Sequence, residues 1–119
     1  MNVRERKYAV SRRYGESIWG DVKDPVLRNR RYPNGQHGVT GYKKLSSYGK
    51  QLKSVRQLQT HYGMTAKQFR LFFKRAKSQK GDVSVRFLSM LESRMDMVVY
   101  RAKFAPSISA ARQLSLIHI

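Results

Sequence analysis

The sequence predicts a mainly α-helical, strongly basic protein: an extended basic N-terminal arm, a helical domain, and a closing pair of short helices around a tight corner. Three observations predict it. Apolar residues recur at helical steps of three and four from Tyr48 onward. Residues 1–44 hold few aliphatic side chains but many arginines, Tyr14, Trp19, Tyr32 and a run of turn formers. Lysine plus arginine number 25 against 7 acids, a formal charge of +18. The expected boundaries are 1–44 for the arm, 45–86 for the helical domain and 87–119 for the closing pair. At 119 residues the chain can bury one modest core.

In the arm, Pro33 to Gly35 reads as a turn, and Gly38 and Gly41 are expected to let the backbone approach a partner closely. The next helix runs from Ser46 or Ser47 to Tyr62, with Tyr48, Leu52, Val55, Leu58 and Tyr62 on an apolar stripe and Gly63 as its stop. Lys50, Lys53, Arg56 and Gln57 fall on the opposite face. Thr65 and Gln68 have capping-box spacing, with Met64 and Phe69 placed to staple the same helix start. Phe69, Phe72, Phe73 and Ala76 then form a packing face among lysines and arginines, and Gly81 ends that helix. Asp82 or Ser84 can cap the next one. Leu88, Leu91, Met95, Val98 and Ala102 read as one continuous apolar stripe with Arg94 and Arg101 off it. Phe104 to Pro106 breaks the pattern, and Ser107 caps a final segment carrying Arg112.

Charge distribution narrows the partner. Between Asp24 and Asp82 there is no acid, while residues 25–81 carry fourteen lysines and arginines. Unrelieved like charge works against a compact state unless something neutralises it, and a phosphate backbone does so while releasing counterions. Aromatic side chains among arginines suit base stacking together with phosphate contact. With no cysteine there is no disulfide framework or thiolate metal site. No apolar run approaches a membrane span, and the N-terminus lacks a signal-peptide apolar region, so neither a membrane partner nor secretion is expected. His61 has no second ligand at metal spacing. Glu92 and Asp96 share a helical face without a nucleophile or histidine nearby, so they are expected to orient Arg94 and not to catalyse. No cofactor, metal or enzymatic activity is expected.

The residues also resemble a known family. Leu91-Glu92-Ser93-Arg94, Asp96, Val98-Val99-Tyr100-Arg101, Phe104-Ala105, Ser107 and Ala111-Arg112-Gln113-Leu114 resemble the RNA-binding motif that opens the second domain of the bacterial small-subunit ribosomal protein four family, which implies that 87–119 is the start of that domain, incomplete. The likeness extends upstream through Tyr62-Gly63-Met64, Lys67-Gln68-Phe69-Arg70 and Phe73, and through Tyr48-Gly49, Gln51-Leu52 and Gln57. It reaches the arm at Arg12-Arg13, Trp19-Gly20, Pro25-Val26 and Gly35-Gln36-His37-Gly38, which look like the family's alphaproteobacterial form. Asn34, Met95 and Lys103 depart from its usual pattern, and the zinc-binding cysteine cluster of many members has no counterpart here.

The resemblance implies a structural constituent of the small ribosomal subunit. It would bind a multi-helix junction in the 5′ domain of small-subunit rRNA and nucleate assembly of the subunit body. It would sit where mRNA enters, near the third and fifth small-subunit proteins. The residues expected to contact RNA are Gln36, His37, Gly38, Tyr48, Gln51, Lys53, Arg56, Gln57, Tyr62, Lys67, Gln68, Arg70, Arg94, Arg101 and Arg112. Lys53 and Lys67 rest on charge and helical face; the others rest also on the match. A non-ribosomal RNA-binding translational regulator is the alternative, and the N-terminal arm argues against it. The compartment is expected to be a mitochondrial matrix or a bacterial cytoplasm, with a lean to the former. The likeness stops at Leu114-Ser115-Leu116-Ile117-His118-Ile119, and residues 114–119 are expected to be translated sequencing adapter.

Overall fold

A computed structural model describes residues 7–41 and 44–117; Lys43, one of the fourteen cations counted above, and His118 lie outside the described residues. Among the described residues all regular structure is helical: α1 (Lys7–Tyr14), α2 (Ser47–His61), α3 (Ala66–Ser78), α4 (Val83–Glu92), α5 (Met95–Arg101) and α6 (Ile108–Ile117), with a 3₁₀ turn at Pro25–Arg28. The chain divides into two compact units, Met1–His61 and Tyr62–Ile119, where the sequence suggested breaks near 44 and 86. None of the described helices is long and apolar enough to cross a membrane.

In the first unit the segment expected to be extended carries α1, and α1 packs on the 3₁₀ turn. Val10 and Val26 supply its small apolar centre. The 3₁₀ turn forms because Asp24 accepts from the Val26 amide at 3.0 Å and Pro25 presets the first φ; Asn29, at φ 73°, stops it. The Arg12 guanidinium lies over the Tyr32 ring at 5.0 Å and donates to the Tyr32 carbonyl at 3.2 Å, folding residues 30–32 back onto α1. The Lys7 ammonium binds the Asp21 carboxylate in the same way across the intervening loop. These few polar ties hold a segment too poor in aliphatics to fold by burial.

In the second unit the core is apolar. Thr65 caps α3 by accepting from the Gln68 amide, and Met64 and Phe69 are both buried at that end. Asp82 caps α4, accepting from the Ser84 amide at 2.9 Å, and Ser107 caps α6, accepting from the Ala110 amide at 3.2 Å. Phe87 of α4 meets Phe69 and Phe73 of α3 edge to face, with ring centroids 5.0 and 5.6 Å apart. Phe69 and Ala76 of the predicted packing face are buried, while Phe73 meets Phe87 with about half its surface, 49 %, still exposed. Helix α3 ends at Ser78, before Gly81.

The single stripe from Leu88 to Ala102 is corrected. Ser93 and Arg94 break the helix, and the break resets which side chains face inward. Leu91 and Met97 are fully buried, whereas Met95 is 70 % exposed, with Leu88, Val98 and Ala102 also exposed. Helix α5 packs chiefly on α6, through Met97, Ile108 and Ala111. Residues 114–117 continue α6.

Candidate nucleic-acid interface

The described part of the first unit presents its candidates on α2 and on the loop before it. Gln36 and His37 are exposed in a hydrogen-bonded turn in which the Gly38 amide donates to the Gly35 carbonyl at 3.2 Å. Gly38 itself is buried. A Cβ there would collide with the Pro33 carbonyl oxygen, and one on Gly41 would come within 2.7 Å of the His37 carbonyl oxygen. The close approach expected between these glycines and a partner is thus made inside the chain's own turn.

Helix α2 buries none of its residues. Tyr48 is 72 % exposed, with Leu52 and Val55 also exposed, so the stripe expected to pack leaves its first turns open. Its C-terminal half is held instead by polar contacts. Gln57 donates to Glu16 at 3.2 Å, and the His61 ring nitrogen Nδ1 sits 3.0 Å from the Ile18 carbonyl. Gln51 and Arg56 are exposed and Lys53 half-buried. On α3, Lys67, Gln68 and Arg70 all face solvent.

The second unit gathers three of its arginines, Arg94, Arg101 and Arg112, around two carboxylates. Arg94 grips Asp96 with two parallel bonds, Nε to Oδ1 at 3.1 Å and Nη2 to Oδ2 at 3.0 Å. From α6, Arg112 reaches the same Oδ2 with Nε at 3.2 Å and Nη2 at 3.1 Å. Arg112 also donates to the Gly63 carbonyl at 2.6 Å and the Tyr62 carbonyl at 2.9 Å. Asp96 is 4 % exposed. Burial alone would raise its pKa; the hydrogen bonds from Arg94 and Arg112, helped by their charges, outweigh that and hold the carboxyl below its ordinary range. Beside it, Glu92 accepts from Arg101 at 2.8 and 3.0 Å and from the Tyr62 hydroxyl at 2.7 Å. Burial, then the Glu92 hydrogen bond and charge, push the Tyr62 phenol up to about 12.

This arrangement sorts the expected contacts. Arg94 is oriented by Asp96 as foreseen, while Glu92 positions Arg101. Tyr62 is 5 % exposed and Arg112 directs Nε, Nη1 and Nη2 at the protein, so both brace α6 against the Tyr62–Gly63 turn. Sequence reading missed this brace; the signal available was an acid two residues from one arginine and sixteen from another, which no helical spacing connects. Arg101, with its fork held from one side and more than half its surface in water, remains presented outward. Among the described residues no cluster of three or more histidines and acids could hold a metal ion.

The surface so described is rich in positive charge. The chain is 50 % identical over 115 residues to the small ribosomal subunit protein uS4 of Mesorhizobium japonicum and of Rhizobium etli, covering 95 % of this chain and 56 % of each relative. It is 49 % identical over the same length to that of Agrobacterium fabrum. The chain therefore spans little more than half the length of these relatives. All three are bacterial, so the lean towards a mitochondrion finds no support in them. Residues 2–92 match the ribosomal protein S4/S9 N-terminal domain, a family of structural and not enzymatic proteins, and with most of its length matched the chain belongs to that family.

Proposed function

We propose that this chain serves as a structural constituent of the small ribosomal subunit in a bacterial cytoplasm, binding a multi-helix junction in the 5′ domain of small-subunit rRNA. The observation that carries the reading is half-identity over 115 residues to proteins of that name. The geometry supports it. Lys53 and Arg56 on α2, Lys67 and Arg70 on α3, Arg101 on α5 and Arg94, held by Asp96 at the cap of α5, supply cations on fixed supports, each able to meet an RNA phosphate. Recognition of this kind reads shape and backbone more than sequence. In the same reading the protein nucleates assembly of the subunit body and lies where mRNA enters, beside the third and fifth small-subunit proteins.

The test is cross-linking in the native cells followed by sequencing of the attached RNA. Reads concentrated at one junction of the 5′ domain of small-subunit rRNA are expected, and the genome encoding that rRNA identifies the compartment. Reads spread over tRNAs or confined to one mRNA leader would overturn the ribosomal reading in favour of a translational regulator.

A further inference from the structure

The first unit contains a groove of about 610 Å³ between α2 and residues 13–16, 31–33 and 41, within the size range of small-ligand sites. Its apolar lining is Tyr14, Pro33, Leu45 and Leu52. Among its described lining residues Arg13, Arg31, Lys53 and Arg56 are cationic and Glu16 is the one acid. Glu16 is already engaged by Gln57. On α2 the groove residues Gly49, Leu52, Lys53 and Arg56 fall at steps of three and four, so a single helix face carries both apolar and cationic lining. Gly49 opens the groove along that face, since its nearest neighbours would meet a Cβ at an ordinary 3.5 Å and the helix gives the glycine no other use.

A groove lined by apolar side chains together with four cations matches one ligand chemistry closely, a flat apolar base joined to an anionic backbone. We infer that this groove takes an unpaired nucleotide of RNA, the base entering between Tyr14, Pro33 and Leu52 and the flanking phosphates meeting Lys53, Arg56 and the arginines opposite. The inference rests on the RNA-binding part of the proposed function and adds a site selective for extruded or single-stranded bases. A paired base cannot enter it, because its apolar faces are covered by its neighbours in the stack.

The full 119-residue chain would be titrated with a single-stranded oligoribonucleotide bearing one 2-aminopurine, and with the same strand made abasic at that position. Loss of the base is expected to weaken binding about tenfold, and Leu52→Ser to do the same for the intact strand only. Gly49→Leu fills the groove while improving helix propensity, so it should abolish the 2-aminopurine quenching without loss of folding. Val55→Ser, on α2 outside the groove, should leave binding unchanged. Equal affinity for the intact and abasic strands, or quenching retained in Gly49→Leu, would overturn the inference while leaving the cross-linking result untouched. Conversely, base-dependent binding with no rRNA junction in the cross-links would sustain the groove and remove the ribosomal reading. Capture of an acidic apolar peptide, lost in both groove variants while the strand still binds, would assign the groove to a protein partner and overturn it.

Discussion

Replacing Asp96 by asparagine should unfold the second unit more readily than any surface change. The amide keeps the volume but removes the charge and one of the two acceptor oxygens that Arg94 and Arg112 share. Breaking a buried ion pair from one side costs about 3–5 kcal/mol. The two arginine side chains keep 21 and 36 % of their surface in water, which screens them once the carboxylate is gone, so the expected loss is about 2 kcal/mol. Tyr62 to Ile119 form the unit concerned, and a unit of that size holds only about 3–9 kcal/mol in all. With a urea slope of about 1 kcal/mol/M, the midpoint followed by far-ultraviolet circular dichroism should fall by about 2 M. Trp19 is the sole tryptophan and belongs to the first unit, so its emission serves as an internal control. Asp96 has a lowered folded pKa, so its contribution is complete above the unfolded carboxyl value of about 3.9 and is lost as pH falls below it. The gap between Asp96→Asn and the parent should therefore close in acid. A midpoint shift under about 0.3 M at neutral pH, or a gap that persists unchanged in strong acid, would refute the reasoning.

Phe87→Ala should cost about 3–4 kcal/mol in the same unfolding assay, because its buried ring is the common partner of Phe69 and Phe73. In a near-ultraviolet alkaline titration, one of the seven tyrosines should ionise only near pH 12, and Tyr62→Phe should remove that late step. Since the folded phenol titrates above its ordinary value of 10.0, the stability it contributes is present below pH 10 and fades as pH rises towards 12. Gly38→Ala forces a methyl against the Pro33 carbonyl and should cost the turn about 1–3 kcal/mol, read as faster amide exchange at Gly38 and Gly41 with the second unit unaffected.

Local signals were legible where one residue decides the outcome. Thr65, Asp82 and Ser107 cap the helices their side chains announce, and the phenylalanine period gave the packing face of α3. Sequence reading failed where a contact between side chains, and not a helix breaker or an apolar period, decides. The break at Ser93–Arg94 carries no glycine or proline; it exists because Asp96 captures Arg94 and accepts the Met97 amide, anchoring the start of α5 in a new phase. Helix α1 was missed for a related reason. Ala9 and Val10 are its only aliphatic residues, too few to draw an apolar stripe, and what fixes it are Arg12 on Tyr32 and Lys7 on Asp21, contacts between residues twenty and fourteen positions apart. The cationic faces of α2 and α3 were legible in the sequence, whereas the network around Asp96 was not. Tyr62 and Arg112, expected to contact RNA on the family resemblance, make the intramolecular contacts of the brace.

The acids of this chain explain how so basic a molecule keeps a definite shape. Each of the six in the described residues is engaged from within: Glu16 by Gln57, Asp21 by Lys7, Asp24 and Asp82 by backbone amides at helix starts, Glu92 by Arg101 and Tyr62, and Asp96 by Arg94 and Arg112. Among the described residues none of the lysines and arginines of α2 or α3 pairs with a carboxylate. Among the described residues negative charge is thus confined to joints, and positive charge on these two helices is left unpaired with carboxylates at a cost in self-repulsion. The two sets should separate experimentally. Neutralising an acid removes a joint and lowers stability; neutralising Lys53, Lys67 or Arg70 relieves repulsion, leaves stability equal or higher, and lowers the salt dependence of RNA binding by about one ion each. A surface charged merely for solubility would show neither half of that division, because its acids would be spread among its bases and exchangeable with them.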